Sequence, residues 1–109
     1  METFGDKIRI AREENSLFLR QVAAEIEIDQ AIISKFERGE RKPTREQVLK
    51  FAKFYKLNKD ELLVAWLSDK VTYELGDENL ACEALKVAEA KIKSVKDAAT
   101  NNQRKAQRS

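Results

Sequence analysis

The 109-residue chain carries 42% hydrophobic and 37% charged residues, three Gly, one Pro, one Cys and no His, enough for one compact domain plus an appendage. This excludes wholesale disorder, a many-stranded sheet rich in tight turns, imidazole acid–base chemistry and, with Cys82 alone, any internal disulfide. The net charge of +2 resolves into +2 over residues 1–56, −5 over 57–90 and +5 over 91–109, which gives a polyanion a direction to follow.

Thr3 and Asp6 open a first helix as cap and third-position acid, and Phe4, Ile8 and Ala11 recur at helical spacing up to about Asn15. A short second helix covers Leu19 to Ile26, with Val22, Ala23 and Ile26 inward. Asp29 caps a third, Gln30 to Arg38, whose buried face is Ile33 and Phe36, and Gly39 ends it. Pro43, Thr44 and Gln47 form a capping box for a fourth helix, with Val48, Leu49, Ala52 and Tyr55 as its apolar stripe. A second box at Asn58 and Glu61, with Leu57 and Leu62 as a staple, starts a fifth helix from Lys59 to Asp69. Leu62, Leu63, Trp66 and Leu67 are expected inside.

Beyond Lys70 the pattern changes. Val71 to Leu75 alternate apolar and polar, as a short strand or an extended linker over residues 70–76 would, and Gly76-Asp77 breaks the run. A long helix over residues 77–99 follows. Ala81, Leu85, Ala88, Ile92, Val95 and Ala99 repeat at steps of four and three, the seam of a helix that either folds back on the core of its own chain or meets a second copy. Residues 100–109 are polar and basic and are expected to be a disordered tail.

The stretch from Leu17 to Gly39 reads as helix, turn, helix. Ala23 lies where the two helices approach, Ile28 plugs the turn, and Ile33 and Phe36 anchor the third helix from beneath. The opposite face holds Gln30, Ala31, Ser34 and Lys35, with Ile32 at its edge. Short and hydrogen-bonding side chains of this kind can enter a major groove about 12 Å wide and meet base edges. Residues 34–56 then carry eight Lys or Arg against three Glu.

These residues resemble the XRE family of helix-turn-helix proteins, the group that includes phage lambda and related repressors and Cro. The resemblance rests on Ile8–Glu13, Gln21-Val22-Ala23, Ile33–Gly39, Arg41–Thr44 and Asp60–Leu63, within roughly residues 4–67. It implies a five-helix lambda-repressor-like DNA-binding domain over residues 1–69; with the C-terminal amphipathic helix read from its own spacing, the expected fold is all-α. It implies base reading by Gln30, Ala31, Ser34 and Lys35 and phosphate binding by Arg38, Arg41 and Lys42. It also implies a structural ion pair between Arg12 and Glu37. Three positions depart from the family pattern: Glu27 replaces the turn Gly, Phe18 replaces a Ser or Thr cap, and Leu19 replaces a polar phosphate ligand.

The resulting expectation is a cytoplasmic homodimer that binds a palindromic double-stranded operator as a transcriptional regulator, of the restriction–modification controller type or stand-alone. Trp66, Leu85, Ala88, Ile92 and Val95 are the expected dimer contacts. The competing reading is an antitoxin whose C-terminal segment binds a toxin, and polymerase is a further expected contact. An enzyme is not expected: there is no Gly-rich phosphate loop and no Cys cluster, and Asp60 and Glu61 fit capping. No cofactor, metal or membrane partner is expected either. No apolar run approaches the roughly 20 residues of a membrane span, and Met1 leads into a charged helix.

Overall fold

The computed structural model describes the backbone of residues 1–108 and the side chains of residues 1–100. The chain divides into two compact units, Met1–Tyr73 and Glu74–Ser109. Six helices occur among the described residues, with no strand: α1 (Phe4–Glu14), α2 (Leu19–Ile26), α3 (Gln30–Glu37), α4 (Arg45–Tyr55), α5 (Lys59–Leu75) and α6 (Ala81–Arg108).

Local chemistry sets the helix starts. Thr3 Oγ1 accepts from the Asp6 N–H at 3.0 Å and Asp6 Oδ2 accepts from the Thr3 N–H at 3.1 Å, a complete capping box. The Thr3 backbone bond holds the Asp6 carboxyl below its usual range, against a smaller desolvation penalty. Thr44 and Gln47 form a second reciprocal box, at 3.2 and 2.9 Å. The third is half a box: Asn58 Oδ1 accepts from the Glu61 N–H at 3.0 Å. Phe18 has no oxygen to offer α2, yet Gln21 Oε1 accepts the Phe18 N–H at 2.7 Å. Half of the box therefore suffices to start α2 at Leu19.

The core of the first unit forms around Ile8, Val22, Ile33, Phe36, Val48, Phe51 and Leu62, the largest fully buried side chains. Phe51 is its hub, with Phe4 and Phe36 edge-on at 5.8 and 6.2 Å between ring centres. Burying such a ring stabilises the fold by about 2–3 kcal/mol. The sequence reading gave the α4 stripe to Leu49 and passed over Phe51. Leu49 is exposed, because positions 48, 51, 52 and 55 share the inward face. Leu57 and Leu67 are likewise at the surface, and Ala65 takes the inward place beside Trp66.

α3 packs mainly against α1 and α2. A glycine permits the closest approach: a Cβ on Gly5 would press into the Phe36 carbonyl oxygen and lie 2.7 Å from that of Glu37. The first N–H of α1, on Phe4, donates to Asp69 Oδ2 of α5 at 2.9 Å. A carboxylate at this end also complements the helix dipole.

Two sequence expectations about the later chain are corrected. The strand or linker over 70–76 is helix through Leu75. Thr72 turns its hydroxyl to the Ser68 carbonyl at 2.9 Å, and the Lys42 ammonium sits 3.7 Å over the Tyr73 ring. The β-branched residues there are overridden by helical continuation. α6 starts at Ala81 after a turn in which the Glu78 N–H bonds to Leu75, and it continues through Arg108. The backbone of α6 is helical through Arg108, where the sequence pattern ended the helix at Ala99. Ser109 lies outside the described residues. No described helix is long and apolar enough to cross a membrane.

Candidate nucleic-acid interface

α2 and α3 are joined by a turn in which Glu27 adopts φ 57°, ψ 43°, the left-handed conformation that glycine takes without strain. Ile28 is buried beneath the turn, and Asp29 Oδ1 accepts from the Ala31 N–H at 2.8 Å to start α3. Ile33 and Phe36 hold α3 from below, and Ala23 of α2 packs beside them.

The opposite face of α3 carries the expected base readers. Gln30, Ala31 and Lys35 are exposed and Ser34 is half-buried. None of the Gln30, Ser34 and Lys35 side chains has a hydrogen-bond partner among the described residues, and Lys35 has no carboxylate within 4.0 Å. With Leu19, Asp29 and Arg38 they line one shallow groove. Leu19 and Ile32 are hydrocarbon side chains packed against the core.

Arg38 lines this groove and also a second cavity of about 390 Å³, whose wall includes Gly39, Arg41, Lys42, Tyr73 and Lys70. The three expected phosphate ligands are thus neighbours along the chain segment that leaves α3. Their states differ: Arg38 is paired with Glu40 at 3.0 Å, Lys42 lies over Tyr73, and Arg41 has no carboxylate partner among the described residues. The Asp29 carboxylate takes the Ala31 N–H at the α3 N-terminus. Arg20 adds an exposed cation at the start of α2, 4.6 Å from the Phe18 ring centre, which the sequence reading did not single out.

Behind the reading helix lies a polar brace. Arg12 Nε and Nη2 donate to Glu37 Oε2 and Oε1 at 2.8 and 2.9 Å, while Nη1 donates to the Leu17 carbonyl at 3.0 Å. The Glu37 carboxylate is 5% exposed. Its hydrogen bonds hold the Arg12 guanidinium above its ordinary pKa, against burial. Tyr55 adjoins the pair; its buried hydroxyl has no hydrogen-bond partner, and burial followed by the Glu37 charge pushes its pKa up to about 12. Neither Gly5 nor Tyr55 was legible as part of this brace, because both matter through contacts distant in sequence.

Trp66 lies inside, as the stripe of α5 predicts, and not on an open face where the expected dimer contact would need it. It is 6% exposed and its indole N–H donates to the Pro43 carbonyl at 2.9 Å, so it locks the loop after α3 onto α5 rather than facing a second copy. Leu85, Ile92 and Val95 of α6 are exposed, and Ala88 is half-buried.

A family model described as helix-turn-helix matches residues 8–62, half of the chain. Comparisons with curated proteins and with solved structures gave no match. With α2, the turn at Glu27 and α3 at the centre of the matched segment, the chain belongs to the XRE-type helix-turn-helix family of DNA-binding transcriptional regulators.

Proposed function

We propose that the protein binds a palindromic DNA operator as a homodimer in the cytosol and controls transcription from it, as a restriction–modification controller or a stand-alone regulator. The observation that carries this reading is the unpartnered α3 face, on which the Gln30, Ser34 and Lys35 side chains make no hydrogen bond to any described residue. Gln30 is suited to an adenine edge, where one amide both donates and accepts. Ala31 leaves room for close approach, and Ser34 and Lys35 reach neighbouring bases. Arg38, Arg41 and Lys42 bind phosphates and fix the register. Arg12 and Glu37 set the tilt of α3.

One such helix makes too few base contacts for useful selectivity. Two copies related by a two-fold axis read half-sites roughly 34 Å apart. The α6 seam of Leu85, Ala88, Ile92 and Val95 supplies the pairing surface. Those exposed apolar residues also favour a second reading, an antitoxin whose α6 binds a toxin. Selecting bound duplexes from a random pool, together with the solution mass, separates the two. A two-fold symmetric consensus and a dimer support the regulator. A monomeric chain that dimerises with nothing and selects no consensus supports the antitoxin.

A further inference from the structure

We propose that Lys70 of α5 is a further phosphate ligand, which extends the DNA-binding surface from the segment after α3 onto a helix outside the helix-turn-helix. This rests on the phosphate role proposed above for Arg41 and Lys42. Every residue it uses lies within the first unit, Met1–Tyr73.

Two contacts fix the end of α5 against the segment from Arg41 to Pro43. The Trp66 indole N–H donates to the Pro43 carbonyl at 2.9 Å, and the Lys42 ammonium lies 3.7 Å from the Tyr73 ring centre. Lys70, one helical turn beyond Trp66, places its own ammonium 3.5 Å from the Trp66 ring centre. Arg41, Lys42 and Lys70 thereby line one cavity of about 390 Å³. Arg38 belongs to this wall and also to the groove on the reading face of α3, so it joins the two.

The way these cations are held suits them to an anion from outside. Arg41, Lys42 and Lys70 are exposed and have no carboxylate partner among the described residues. The carboxylates on the cavity wall are engaged by other groups: Glu37 by Arg12, Asp69 by the Phe4 N–H and Asp6 by the Thr3 N–H. An aromatic face orients an ammonium but leaves its full charge uncompensated. Trp66 is buried and anchored through its N–H, so it is a fixed seat for Lys70. A lysine so placed neutralises a phosphate and releases a counterion from the duplex, whereas one already paired with a carboxylate brings no net charge.

The salt dependence of binding to a mixed-sequence DNA duplex, measured with the full chain, tests the assignment. Lys70→Gln is expected to reduce the slope of log affinity against log salt by about 0.9 per bound chain. Lys70→Arg keeps the charge and the seat on Trp66 and is expected to keep the parent slope. Lys7→Gln removes a cation of α1 that does not line the cavity, and is expected to leave the slope unchanged. A slope lowered by Arg41→Ala but not by Lys70→Gln would overturn the proposal and leave the phosphate role of the Arg41 segment standing. Equal reductions in Lys70→Gln and Lys7→Gln would reflect net charge alone and overturn it too. A reduction in Lys70→Arg as large as in Lys70→Gln would mean a disturbed α5 and would also contradict it. If neither Arg41→Ala nor Lys70→Gln lowered the slope, the phosphate reading itself would fall along with this proposal.

Discussion

The Arg12 guanidinium and the Glu37 carboxylate meet through two parallel hydrogen bonds of 2.8 and 2.9 Å, joining the last turn of α1 to the end of α3. An acid at a helix C-terminus opposes the helix dipole, and burial adds a desolvation cost, so Glu37 depends on its partner. Arg12→Met is expected to destabilise the domain by about 3 kcal/mol, because it strands the carboxylate. Arg12→Met with Glu37→Met is expected to recover most of that loss. Urea unfolding of the two variants checks this; equal losses would show that the bridging atoms matter less than their packing.

Gly5 governs how near α1 comes to α3. Its φ is ordinary, so the need for glycine lies in space: any Cβ would strike the Phe36 and Glu37 carbonyl oxygens, which are backbone and cannot swing aside. Gly5→Ala is expected to cost about 2–3 kcal/mol. Gly39→Ala, where φ is +72° and the space is open, is expected to cost about 1 kcal/mol. Thermal unfolding in parallel ranks them, and the reverse order would contradict the close approach.

Tyr55 makes stability depend on alkaline pH. Its folded pKa, about 12, lies above the ordinary value of 10.0, so the folded state favours the neutral phenol. The resulting stabilisation is complete below pH 10 and is lost as pH rises toward 12, by about 2 kcal/mol. Tyr55→Phe removes both the orphan hydroxyl and the titration. It is expected to raise stability near neutral pH by about 1 kcal/mol and to abolish the alkaline loss over that window. A variant as alkali-sensitive as the parent would place the titration elsewhere.

Glu27 holds a left-handed backbone at φ 57° in the middle of the helix-turn-helix. Relief of that strain outweighs the greater unfolded freedom of glycine, so Glu27→Gly is expected to add about 0.5 kcal/mol. A raised urea midpoint with unchanged slope is the result to look for; a lowered midpoint would mean that the Glu27 side chain contributes more than the strain costs.

Features encoded within a few residues could be read directly from the sequence. The boxes at Thr3 and Thr44, the cap at Asp29 and the stop at Gly39 each depend on near neighbours, whereas the turn at Glu27 was marked only by the family resemblance. Features that depend on distant contacts could not. Periodicity places Trp66 inside, but it cannot show that the indole N–H finds the Pro43 carbonyl, which is why the residue was also open to assignment as a dimer contact. Val71 to Leu75 alternate in a way that five residues of strand or helix both satisfy, and only continuation from Trp66 decides it. The exposed face of α3 was legible because the pattern of Ile33 and Phe36 fixes which side points away from the core.

The division of labour on that face is open to one direct comparison, the affinity of Gln30→Ala and Arg41→Ala for the selected operator and for random duplex across a range of salt. Gln30→Ala is expected to lose about 1–3 kcal/mol on the operator alone, with less preference at one base pair. Arg41→Ala should weaken both duplexes alike and lower the salt slope by about one. If both substitutions weakened operator and random DNA equally, α3 would not be reading bases and the account would fail.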